Sequence, residues 1–81
     1  MINLPHDTVT ALAPSARKVY DYLMTGRTLT QLVAIGNLGV GSVTKRVSEL
    51  RALGLDVKSE WQRDHNDKRY KKYWVEIQHE G

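Results

Sequence analysis

The chain has 81 residues, with 12 Lys and Arg against 9 Asp and Glu and no cysteine. A chain of this length forms one small domain burying about 60–65% of its unfolded surface, and without cysteine neither disulfides nor thiolate metal ligands can supplement its thin core. Apolar residues make up 41% and are spread along the chain, which excludes wholesale disorder, and no apolar run approaches the roughly 18 residues of a membrane helix.

Residues 1–13 show no clear period and read as an irregular arm; the folded domain is expected at 14–78. Pro14 and Ser15 open a first helix, Pro suiting the first turn and Ser offering a cap. Ala16, Val19, Tyr20 and Leu23 fall on one helical face, and Gly26 is a natural stop. Leu29 to Asn37 read as a shorter second helix, capped by Thr28 with Gln31 or by Thr30, with Leu32, Ile35 and Leu38 supplying buried contacts. Glycines at 36, 39 and 41 permit a tight reversal, with Leu38 and Val40 pinning it to the core.

Ser42 caps a third helix whose inner stripe is Val43, Val47 and Leu50, with Leu53 at its edge and Gly54 at its end. From Leu55 the period falls to two: Leu55, Val57 and Trp61 inward, Asp56, Lys58 and Glu60 outward. His65 to Lys68 is turn chemistry, and a second alternating run sends Tyr73, Val75 and Ile77 one way and Lys72, Trp74 and Glu76 the other. The expected fold is therefore α+β: three helices followed by a two-stranded antiparallel hairpin, the layout of a winged helix-turn-helix.

That layout offers a polar helix about 10–12 Å wide to a major groove and a hairpin tip to the adjacent backbone. The net charge of +3 is mild, but four of the five residues Lys68 to Lys72 are basic, a local cluster suited to a polyanion. The motif Leu38-Gly39-Val40, then Arg46-Val47-Ser48-Glu49-Leu50-Arg51 and Gly54, preceded by Leu29-Thr30, Leu32 and Ala34, resembles the signature of a small winged helix-turn-helix family of phages and prophages. The resemblance covers roughly residues 16–77. It implies a duplex DNA-binding protein, a transcriptional regulator or an excision or recombination accessory factor, working in the cytoplasm or nucleoid of a bacterial host. One departure is Gly41, where relatives often carry a larger residue.

The candidate DNA contacts are Ser42, Thr44, Lys45, Arg46, Ser48 and Arg51 on the third helix and Arg63, Lys68, Arg69 and Lys71 on the hairpin. Arg46 has a second role open to it, pairing with Glu49 three residues on. Arg17 and Lys18 read as solvated surface. Trp61, Tyr70 and Tyr73 read as completing a small core rather than as a platform for single strands, while Trp74 falls on the outer face and would mark a partner surface if exposed.

His6, His65 and His79 lack metal-ligand spacing, and no nucleophile–base set, phosphate loop or paired acids appear, so neither an enzyme nor a metal, cofactor or small-molecule site is expected. The sequence around Met1 to Pro14 lacks the basic start and apolar stretch of a signal peptide, and the expectation is a soluble intracellular protein. The rival function is a protein-interaction module on the same fold, which Glu49, Asp64 and Asp67 would favour by repelling phosphate. A single such domain reads few base pairs, so a homodimer or tandem binding is expected on DNA.

Overall fold

The computed structural model describes residues 4–76. Along the chain lie α1 (His6–Thr10), α2 (Pro14–Met24), β1 (Leu29–Thr30), α3 (Gln31–Val33) running on as a π-helical turn (Ala34–Leu38), α4 (Val43–Ala52), β2 (Lys58–Arg63) and β3 (Arg69–Trp74). The strands form one antiparallel sheet in the order β1-β3-β2. The expected Ile77 position lies outside the described residues. None of the helices among the described residues is long and apolar enough to cross a membrane.

Within the expected irregular arm, residues 4–13 hold a short helix, and the arm's first three positions lie outside the described residues. Pro5 precedes α1, and Leu4 and Val9 are buried with the main core, so this segment covers one end of the domain. Two apolar residues five positions apart carry too little period to reveal a five-residue helix. In α2 the predicted stripe of Ala16, Val19, Tyr20 and Leu23 is buried throughout. Pro14 stands at the first helical position, but the cap is Ala13, with no side-chain hydrogen bond; Ser15 does not serve.

The second predicted helix starts later than its pattern suggests. Leu29 and Thr30 are strand residues paired with Tyr73 and Lys72, which makes the sheet three-stranded rather than two-stranded. Leu29 enters the core from this strand with no exposure, and Thr30 then caps α3 by accepting from Val33 N–H at 3.2 Å. Pinning Leu29 in the sheet sets the helical phase: Ala34 faces the core and Leu38 packs against it, while Leu32 is 82% and Ile35 56% exposed, contrary to expectation. The π-helical turn ends where Gly39, at φ 67°, reverses the chain, and the N–H groups of Gly39 and Val40 both donate to Ala34 O. A Cβ at Gly39 would meet no atom within 4 Å, so its backbone conformation, not space, calls for glycine.

In α4, Val43, Val47 and Leu50 are buried against α2, as the stripe predicts, while Leu53 remains half exposed. Leu55 and Val57 are buried in the connection before β2, and Tyr73 and Val75 close the core from the sheet. Trp61 departs from its expected place. It shares a face with Tyr73 by register, yet it is 59% exposed, two positions nearer the hairpin tip.

Candidate nucleic-acid interface

Four side chains, Ser42, Gln31, Thr44 and Arg51, fix α4 in place. Ser42 Oγ accepts from Lys45 N–H at 3.4 Å, a weak N-cap. Gln31 spans the preceding turn: its amide donates to Gly41 O at 2.9 Å and its carbonyl accepts from Val43 N–H at 3.0 Å. One side chain from α3 thereby holds both the turn and the first residue of α4. At the other end Arg51 donates from Nε and Nη2 to Val57 O, at 3.1 and 2.7 Å, and from Nη2 to Ser59 Oγ at 3.3 Å. Thr44, two turns earlier on the same flank, meets Tyr73 Oη at 3.2 Å. The helix is thus clamped to the sheet along one side, leaving Ser42, Lys45 and Ser48 exposed on its outer face.

These contacts sort the predicted helix residues. Arg51 spends three of its five donors inside the domain and is a clamp rather than a free cation. Of the two roles open to Arg46, the structure displays the pairing: Nη2 lies 3.1 Å from Glu49 Oε1, and the Arg46 side chain is only 18% exposed. Ser42, Lys45 and Ser48 stay open to solvent, and Thr44 stands where the helix meets the hairpin.

The hairpin tip is built by Asp64. Its carboxylate accepts from the backbone N–H groups of Asn66 at 2.9 Å and Lys68 at 3.0 Å, and its own N–H donates to Lys68 O. Asp67 takes the left-handed conformation at φ 61° and pairs with Arg63 at 3.1 Å. Behind the tip the register is Trp61 opposite Lys71 and Arg63 opposite Arg69, so all four side chains share the face that leads down to Tyr73. The Arg69 guanidinium and the Lys71 ammonium each lie 5.5 Å from the Trp61 ring centroid. Such contacts contribute about 0.5–1 kcal/mol at exposed sites. Between this face and the start of α4 runs an open groove of about 440 Å³, lined by Gln31, Thr44, Trp61, Arg69, Lys71 and Tyr73 among others.

The acidic residues that argued against a polyanion partner all have other work. Glu49 is paired with Arg46, Asp67 with Arg63, and Asp64 is committed to the turn. By contrast, among the described residues no ion pair neutralises Lys45, Lys68, Arg69 or Lys71. Trp74 is half buried on the outer face, with the Lys72 ammonium 5.9 Å from its ring.

Gln31 and Trp61 were not legible as site residues. Gln31 carried no signal beyond its place near a predicted cap. The pairing of Trp61 with Lys71 could have been found by counting outward from the turn, since both strands leave it in register.

A family model described as a winged helix-turn-helix domain matches residues 14–76. No curated protein and no solved structure matches the chain. The match spans the capped helix, the turn before it and the hairpin after it, and the chain belongs to the winged helix-turn-helix domain family.

Proposed function

We propose that the protein binds duplex DNA as a small regulator of transcription or an accessory factor of phage-type recombination, acting in the cytoplasm or at the nucleoid of a bacterial cell. The observation that carries this reading is the distribution of charge. Cations with no ion pair among the described residues stand on both elements, Lys45 on α4 and Lys68, Arg69 and Lys71 on the hairpin, with Arg69 and Lys71 lining a groove that Thr44 of α4 also lines, while the neighbouring carboxylates are neutralised or held in the turn. In this reading α4 enters the major groove with Ser42, Thr44, Lys45 and Ser48 toward base edges, and the hairpin follows the phosphates. Arg46, Arg51 and Arg63 act mainly by holding the scaffold. The reading involves no catalytic step, cofactor or small-molecule substrate.

Anisotropy titrations of mixed-sequence duplexes at several salt concentrations test it. Binding that weakens steeply with salt is expected, each phosphate contact adding about 0.9 to the slope of log K against log salt. No binding to any duplex at low salt would overturn it. Lys45→Ala should weaken a preferred sequence more than a random one, and Lys68→Ala should weaken both alike.

A second reading, a protein-interaction module, is favoured by the exposure of Leu32 and Ile35 on one side of α3 and its π-helical turn. The two readings are compatible if that surface joins two copies on adjacent DNA sites. Sedimentation with and without duplex distinguishes them: a partner contact alone leaves duplex unbound.

A further inference from the structure

The geometry points to Trp61, Arg69 and Lys71 as one clasp for a sugar–phosphate unit of the DNA backbone, with the indole against the deoxyribose and the two cations on the flanking phosphates. The proposal rests on the duplex-binding reading and specifies how the hairpin would grip. Four observations carry it. Trp61 is 59% exposed although its register places it on the face that is apolar nearer the core. Its ring has cations at 5.5 Å from both Arg69 and Lys71, and Lys71 also reaches the Tyr73 ring at 5.8 Å. Among the described residues no carboxylate pairs with either cation. The cluster opens into the same groove as Thr44 at the start of α4, so a strand tracking the helix would pass over it.

An exposed tryptophan with two unneutralised cations beside its ring suits a ligand that carries apolar and anionic groups in close succession. A nucleic-acid backbone does this at every residue, with the sugar edge between two phosphates. A bare anion would leave the indole without a partner, and an apolar peptide would leave the cations without one. The ring is also held in place before binding, which limits the side-chain entropy lost when it is covered.

The test uses the full chain as the Trp74→Phe variant, leaving Trp61 as the only tryptophan. Its emission is followed alongside anisotropy of a labelled mixed-sequence duplex. The expected result is a change in Trp61 emission that tracks binding. Trp61→Ala should lose about tenfold in duplex affinity, the scale of one aromatic anchor, with Trp61→Phe retaining most of it and thermal melting nearly unchanged. Duplex binding with silent Trp61 emission and an unaffected Trp61→Ala would overturn the clasp while leaving duplex binding intact. Single strands bound more tightly than duplex, with Trp61 quenched, would overturn it in favour of base stacking. Absence of any duplex binding would remove both the clasp and the reading beneath it.

Discussion

Tyr73 and Trp61 project from the same face of the β2–β3 ribbon, with Trp61 about 7 Å farther toward the tip. Tyr73 is 2% exposed, packed in the core and touching Thr44, whereas Trp61 lies open with two cations beside its ring. Parity determines which face of a strand a residue occupies; what stands above that face determines whether the residue is buried. At the base of the hairpin Thr44 of α4 touches Tyr73. Toward the tip Trp61 faces the helix residues only across an open groove, and the apolar position becomes part of a charged surface. Ion pairs divide within the ribbon as well: Lys58 and Arg63 of β2 are matched to Asp56 and Asp67, while among the described residues Arg69 and Lys71 of β3 have no acid partner.

The sharpest way to break this comparison is to truncate on each side of it. Leu50→Ala, at a fully buried position of α4, should cost about 2–5 kcal/mol of stability, and Trp61→Ala less than about 1 kcal/mol, both read by denaturant or thermal unfolding. Similar costs would mean that Trp61 belongs to the core after all. Gln31→Ala removes both hydrogen bonds at the start of α4 and should cost roughly 1–2 kcal/mol, with weaker duplex binding than stability alone explains. Within the hairpin, Arg69→Gln should flatten the salt slope of duplex binding by about 0.9, while Arg63→Gln, whose guanidinium already has Asp67, should flatten it less. Equal slopes would erase the distinction between paired and unpaired cations.

The smallest effect concerns Lys58. Its hydrogen bond to Asp56, and then the charge of that carboxylate, hold its ammonium above the ordinary 10.5. The folded value is the raised one, so the stabilisation is fully present below 10.5 and fades as pH climbs through the folded value. The melting difference between wild type and Lys58→Met should stay constant between about pH 6 and 9 and close only in stronger alkali. Both side chains are exposed, so the difference itself should be slight.

The parts of the fold written in strong local patterns were legible. The stripes of α2 and α4, the Ser42 cap and the hairpin all follow from spacing within a dozen residues. What escaped depends on distant partners. The β1 pairing joins Leu29 to Tyr73, and this contact turns Leu32 and Ile35 outward against their own pattern. The α1 helix is too short to show a period, and Leu4 and Val9 find their place only once the core exists. The candidate contact set was legible as a list of polar and basic residues, but not its division. Glu49 three residues on already left a pairing open to Arg46, but Arg51 looks like Lys45 in sequence, and only the carbonyl of Val57, brought near by the fold, separates those two.

The most direct test of the account is a map of backbone amide shifts as duplex DNA is added to isotopically labelled protein. The largest changes are expected at Ser42 to Ser48 and at Trp61 and Lys68 to Lys71, the two stretches that meet at the groove between α4 and the hairpin. Changes confined to Leu32 and Ile35, or none at all at saturating duplex in low salt, would contradict it.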